Sequence, residues 1–67
     1  MFGEKNNNLQ KYRVWKGLTQ EQLSKAAGVS LNVIRDIEIY DKLPKYTLRA
    51  KLCRYFGISH NQLFNDN

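Results

Sequence analysis

Cysteine, proline, histidine and long hydrophobic runs are scarce in this sequence. Its one cysteine, Cys53, cannot form an internal disulfide or a cysteine-based zinc site, which points to a reducing, cytoplasmic setting. No apolar run approaches the ~18 residues of a membrane-spanning helix, and no signal-peptide pattern opens the chain. We therefore expect a soluble cytoplasmic protein.

Groups of residues that carry catalysis are also missing. His60 has no serine, cysteine or carboxylate at motif spacing, and Cys53 lies in an apolar helical pattern that is typical of a core. The sequence contains no cluster of metal ligands and no glycine-rich phosphate loop. It therefore favours a binding protein, without cofactor or metal, over an enzyme.

Acidic residues are outnumbered. The chain has 67 residues, with 11 Lys and Arg against 6 Asp and Glu, a net charge of +5 and a pI of 9.6. This length allows one domain, 1–67, which buries only ~60% of its unfolded surface. A basic excess is typical of proteins that bind polyanions, although many small proteins carry one for solubility alone. The excess is uneven, because residues 1–18 and 41–67 each carry +3 whereas residues 19–40 carry −1.

The segment 19–38 has the strongest local pattern. Thr19 is a good N-cap, and Gln22, three residues later, completes a capping box. Gly28 ends this first helix, because a residue without Cβ takes the left-handed conformation easily. Ser30 then caps a second helix. Two helices joined by a short turn with glycine predict a helix-turn-helix, the DNA-binding motif.

This segment resembles the Cro/phage-repressor class of helix-turn-helix regulators, also called XRE-like, and the resemblance covers about residues 9–64. The matching residues are Leu18, Thr19, Gln20, Leu23, Gly28, Val29, Ser30, Ile34, Ile37 and Glu38, then Pro44, Gly57, Ser59, Leu63 and Phe64. The resemblance implies an all-α, lambda-repressor-like bundle of about five short helices. It also implies a sequence-specific regulator of transcription, a repressor, that binds double-stranded DNA in a prokaryotic cell or is encoded by a phage or mobile element.

Capping and breaking residues place the helices. We expect them at about 8–16, 20–27, 31–39, 46–56 and, briefly, after Ser59, with residues 1–7 and 65–67 loose. The chain lacks the glycine that the family often places soon after Glu38. The third helix can therefore run on to Tyr40.

The outer face of the third helix has the chemistry of a major-groove reader. Leu31 and Arg35 share one face, and Asn32 and Asp36 share the adjoining one. Asparagine can bind adenine through two hydrogen bonds, aspartate accepts from cytosine N4, leucine touches a thymine methyl, and Arg35 reads guanine or grips a phosphate. On an arbitrary helix such residues would simply be solvated, but the surrounding motif favours base reading.

Candidate phosphate contacts flank this helix. Gln20 matches the family glutamine that contacts a DNA phosphate, and the first-turn amides there can also donate to a phosphate. Ser30, Lys42 and Lys45 are further candidates, although each lysine taken singly is better explained as an ordinary surface residue.

The resemblance also implies an ion pair between Arg13 in the first helix and Glu38, which closes the recognition helix. The alternative for Arg13 is a solvated basic residue on the surface.

The implied assembly is a homodimer on a pseudo-palindromic operator, joined through the C-terminal helix region. Leu63 and Phe64 lie near the end of a short helix, where a small core has difficulty covering both. Alternatively, both residues close the core of a monomer.

A different hypothesis is a protein-interaction module or an antitoxin-type partner-binding protein. It would use Trp15, Tyr40 and Phe64 as exposed aromatic anchors. For Trp15, the plainer expectation is partial packing against the exit of the first helix.

Overall fold

The computed structural model describes residues 7–64, and this part of the chain folds into five helices without a strand. Their bounds are Leu9–Trp15 (α1), Gln20–Ala27 (α2), Leu31–Tyr40 (α3), Tyr46–Phe56 (α4) and His60–Phe64 (α5). The expected all-α class is confirmed, and α1 is one residue shorter at each end than expected. The expectation of loose residues at 1–6 and 65–67 lies outside the described residues.

The turn between α2 and α3 forms as its sequence indicates. Gln22 N–H donates to the Thr19 hydroxyl at 3.0 Å, and the Gln22 side-chain oxygen accepts from Thr19 N–H at 2.9 Å. Gly28 has φ +71° at the end of α2, where a side chain would be strained. The Ser24 hydroxyl donates to the Val29 carbonyl at 2.6 Å across the turn. These contacts fix the direction in which α3 leaves α2.

The α3 helix runs to Tyr40 and ends without glycine. Asp41 takes the left-handed conformation there, with φ 57°. The Asn7 side-chain amide donates to the Ile37 carbonyl at 3.0 Å and to the Asp41 carboxylate at 2.7 Å. Asn7 is 7% exposed, so the expectation that it is loose was wrong. Because its side chain satisfies groups at the end of α3, Asn7 is part of the folded body.

The core lies where all five helices meet. α2 packs against α3 and α4, α1 against α3 and α5, and α4 against α5. Its buried residues are Leu9, Leu23, Val29, Ile34, Ile37, Leu52, Cys53, Leu63 and Phe64. Because Ile34 and Ile37 point into this core, the opposite side of α3 faces solvent.

Candidate nucleic-acid interface

The solvent side of α3 forms one shallow depression together with the start of α2. Its lining residues are Gln20, Asn32, Arg35, Asp36, Ile39 and Tyr40. A neighbouring hollow is lined by Thr19, Gln20, Glu21, Leu31 and Arg35. The four candidate base-reading residues and Gln20 are thus brought together, with Gln20 and Arg35 belonging to both hollows.

Ile39 and Tyr40 were not among the residues that we proposed for base reading. Both are exposed, and both line the depression with Asn32 and Arg35. The spacing held a signal for Ile39, because it follows Arg35 by four residues and therefore shares its helix face. The exposed surface along α3 is consequently longer and more apolar than the expected polar patch.

The two candidate lysines lie at the other end of α3. Lys42 and Lys45 line a hollow that Asp36 also borders, together with Val33, Ile37, Leu43, Pro44 and Leu48. Both lysines are exposed. Their hollow adjoins the α3 depression, because Asp36 lines both.

Ser30 has a structural task at the start of α3. Its hydroxyl accepts from Val33 N–H at 3.3 Å, which caps the helix. The residue is exposed and lies at the N-terminus of α3, where the helix dipole favours an anion.

An ion pair behind α3 joins three helices. Arg13 Nε lies 2.7 Å from Glu38 Oε2, and Arg13 Nη2 lies 3.0 Å from Glu38 Oε1. Arg13 also donates to the Leu18 carbonyl at 2.7 Å. Gln20 Nε2 donates to Glu38 Oε1 at 3.1 Å. Glu38 is 2% exposed, so its charge is compensated by donors from α1 and α2, and the same contact orients the Gln20 side chain.

The three aromatic residues of the partner-binding hypothesis differ in exposure. Trp15 is 78% exposed, so the expected packing against the end of α1 is slight. Tyr40 is also exposed, whereas Phe64 is 1% exposed and lies in the core. Phe64 therefore cannot serve as a surface anchor while the fold is intact.

The burial of Leu63 and Phe64 bears on the expected dimer through the C-terminal helix. Leu63 is 0% and Phe64 1% exposed in the single chain. Both residues close the core of the monomer, and they do not form an apolar surface for a second copy.

Within residues 7–64, no group of three or more His, Cys, Asp or Glu side chains is placed to hold a metal ion. None of the described helices is long and apolar enough to cross a membrane. The Cys53 thiol is buried, which raises its pKa above the ordinary value of 9.0, and the nearby Arg49 guanidinium partly opposes this shift.

Comparison with known proteins agrees with this geometry. The model of a helix-turn-helix family matches residues 9–63, so the chain belongs to that family of DNA-binding transcriptional regulators, which are not enzymes. The chain is also similar to an uncharacterized HTH-type transcriptional regulator of Methanocaldococcus jannaschii. The two are 38% identical over 58 residues, which cover 87% of this chain and 88% of the relative.

Proposed function

We propose that the protein is a sequence-specific regulator, a repressor, that inserts α3 into the major groove of double-stranded DNA. One observation carries the proposal: the polar residues of α3 and Gln20 of α2 line one continuous exposed depression, while Ile34 and Ile37 hold the opposite side of α3 in the core. A helix presented in this way fits the width of the major groove.

Each polar residue of α3 has a base edge that it matches. Asn32 pairs a donor and an acceptor with adenine N6 and N7, and Arg35 reads guanine or a phosphate. Asp36 accepts from cytosine N4, and Leu31 meets a thymine methyl. Ile39 adds apolar surface beside Arg35, which suits a second methyl group.

Phosphate contacts position this helix on the duplex. Gln20 and Ser30 lie at the N-termini of α2 and α3, where backbone amides and the helix dipole favour an anion. Lys42 and Lys45 flank the far end of α3. These contacts carry no sequence information, but they fix orientation and most of the affinity.

Repression follows from occupancy. A domain whose exposed helix fills the major groove prevents other proteins from using the same base pairs. We propose that this steric block is how the protein lowers transcription.

The proposed assembly is a homodimer on a pseudo-palindromic operator, through the region of the C-terminal helix. One α3 contacts only a few base pairs, and two copies related by a two-fold axis read half-sites about one turn apart. Since Leu63 and Phe64 are buried, the apolar surface there is supplied by Tyr46, which is exposed and stacks on His60 of α5 with ring centres 5.0 Å apart. Sedimentation as a monomer, at high concentration and on operator DNA, would rule this assembly out.

The test begins with selection of bound sequences from a random duplex pool. Affinity is then measured for each single-base variant of the selected operator. Asn32→Ala should remove ~1–3 kcal/mol of discrimination at one base pair, because a bidentate contact is lost. Gln20→Ala should weaken all sequences about equally, because a phosphate contact is lost.

Gln10→Ala is the matched control, because Gln10 is exposed on α1 and lies outside both the depression and the C-terminal helix proposed for dimerisation. It should leave both affinity and preference unchanged. If Asn32→Ala lowers affinity uniformly and preserves preference at every position, the assignment of α3 as the reading helix is wrong.

The exposure of Trp15 favours a second candidate function, a partner-binding module. A tight protein complex without affinity for duplex DNA would support this candidate over the first. DNA binding with a steep dependence on salt would support the first.

A further inference from the structure

Another hollow lies where α2 and α4 meet, and it shares no residue with the α3 depression. It is lined by Ala26, Ala27, Gly28, Lys51, Arg54 and Tyr55. Lys51 Nζ lies 3.4 Å from the Gly28 carbonyl oxygen, and Lys16 Nζ lies 4.9 Å from the centre of the Tyr55 ring. We call this surface, including Lys16, the α2–α4 hollow. It gathers three cations from two distant parts of the chain.

These cations have no carboxylate beside them in residues 7–64. The four acidic residues of this range are Glu21, Asp36, Glu38 and Asp41. Glu21 and Asp36 border the hollows along α3, whereas Glu38 is held by Arg13 and Asp41 accepts from Asn7. The positive charge of the α2–α4 hollow is therefore available to an anionic group from another molecule.

The apolar side of the hollow adjoins a row of aromatic rings that are partly buried against the core. The ring centres of Tyr55 and Phe56 are 5.1 Å apart, and those of Phe56 and Tyr12 are 5.8 Å apart. Tyr12, Lys11 and the strongly exposed Trp15 then line a further apolar depression. Exposed tryptophan and arginine are the residues most often enriched in the energetic centres of protein interfaces.

We propose that the α2–α4 hollow and the adjoining Trp15 depression bind an acidic segment of a partner protein that carries apolar side chains. Its carboxylates would pair with Lys16, Lys51 and Arg54, and its apolar side chains would cover Tyr55 and Trp15. A nucleic-acid backbone would match the cations but would leave the apolar side of the hollow without an apolar partner. The cations of the α2–α4 hollow and the apolar Trp15 depression together favour a peptide that carries both acidic and apolar side chains. This inference does not rest on DNA reading by α3.

Peptide titration followed by two-dimensional amide NMR tests the proposal. The probe is acetyl-Asp-Glu-Leu-Glu-Asp-amide, with two controls: the uncharged Asn-Gln-Leu-Gln-Asn peptide and the acidic Asp-Glu-Ser-Glu-Asp peptide. We expect the probe to shift the amide signals of Ala26, Ala27, Lys51, Arg54 and Tyr55. Both controls should bind more weakly, because each lacks one of the two interactions.

Two double variants with the same change of charge locate the effect. Lys51→Gln/Arg54→Gln should weaken binding of the probe about five- to tenfold, because two ion pairs are lost. Lys42→Gln/Lys45→Gln removes the same charge near α3 and should change the affinity for the probe by less than about twofold. Trp15→Ala should weaken the probe without altering binding of the Ser-containing control.

Duplex DNA of random sequence is the last arm of the experiment. If DNA shifts the amide signals of the α2–α4 hollow and the probe peptide does not, the surface is a phosphate contact and the proposal is overturned. Equal losses in the two double variants, or no shift by any peptide, would overturn it as well.

Discussion

At the scale of single residues, burial of the Glu38 carboxylate has the largest potential cost in folding free energy. A carboxylate that is 2% exposed loses most of its hydration, and burial without partners costs several kcal/mol. Two guanidinium nitrogens of Arg13 and the amide of Gln20 replace that hydration. Because Gln20 is also a proposed phosphate contact, this one ion pair links the stability of the domain to the geometry of its proposed DNA surface.

The Arg13–Glu38 pair should show strong coupling. Arg13→Ala leaves a buried charge without its main partner and should lower the free energy of unfolding by about 3–5 kcal/mol. Arg13→Ala combined with Glu38→Gln should cost much less than the sum of the two single changes, because no buried charge remains. Urea denaturation of the four proteins measures this cycle. If the Arg13→Ala protein does not fold, Arg13→Lys, which keeps the charge, takes its place in the cycle. Strictly additive losses of unfolding free energy would contradict the coupling.

Cys53 should make stability fall at alkaline pH. Because burial raises the thiol pKa above 9.0, the unfolded chain loses this proton at a lower pH than the folded protein does. Below the ordinary pKa both states keep the proton and the contribution to stability is complete. As pH rises from the ordinary pKa toward the raised one, the free energy of unfolding should decrease.

The measurement is denaturation across this pH range for the natural protein and for Cys53→Ala. The variant keeps every lysine and tyrosine, so the difference between the two slopes reports the thiol. Parallel slopes would show that Cys53 ionises equally well in both states.

At the scale of helices, the position of α3 depends on both of its ends. Ser30 and the Gly28 turn fix its start, and Asn7 holds its last turn through Ile37 and Asp41. The Asn7 side-chain oxygen also accepts from Leu9 N–H at 3.0 Å, at the start of α1. One side chain therefore connects the beginning of the first helix with the end of the third.

Asn7→Ser separates these two tasks. A serine hydroxyl can still accept from Leu9 N–H, but it is too short to reach α3. The Ile37 carbonyl then loses a buried donor, and we expect a loss of ~1–3 kcal/mol in the free energy of unfolding. Asn61→Ser, in an exposed position of α5, should be close to neutral.

Asp41→Gly completes this test. Glycine suits the left-handed φ of 57° better than aspartate does, but it removes the hydrogen bond to Asn7. The substitution should therefore be more favourable in the Asn7→Ser protein than in the natural one. An identical effect in both backgrounds would show that the 2.7 Å contact contributes nothing.

At the scale of the whole molecule, clusters of positive charge lie on two separate surfaces. Lys42 and Lys45 lie beside the α3 depression and Arg35 lines it, and Asp36, which borders both hollows, offsets part of their charge. The α2–α4 hollow carries its cations without such an offset in the described part of the chain. Net charge alone therefore does not distinguish the proposed DNA surface from the α2–α4 hollow.

Salt dependence distinguishes the two surfaces. Each phosphate neutralised on a duplex contributes about −0.9 to the slope of log K against log salt. Lys42→Gln/Lys45→Gln should make the slope less steep by ~1.8, because two contacts are lost. Lys51→Gln/Arg54→Gln should leave the slope on operator DNA unchanged. If the second variant flattens the slope as much as the first, the duplex also contacts the α2–α4 hollow.

The helices could largely be predicted from the sequence, because caps and glycines act within one turn of the chain. The Thr19–Gln22 capping box and Gly28 needed no information from distant residues. The polar face of α3 followed from helical spacing alone. Trp15 was misjudged because its exposure depends on whether other helices reach the outer side of α1.

The sequence by itself determined the all-α class, the helix-turn-helix and the polar residues that α3 presents, since these depend on interactions between near neighbours. Only the tertiary structure decided that Asn7 is buried against the end of α3, that Leu63 and Phe64 close the monomer core, and that Lys16, Lys51 and Arg54 share one surface. These features join residues far apart in the chain. Their energies come from burial and charge compensation between helices, and no local pattern records which helices meet.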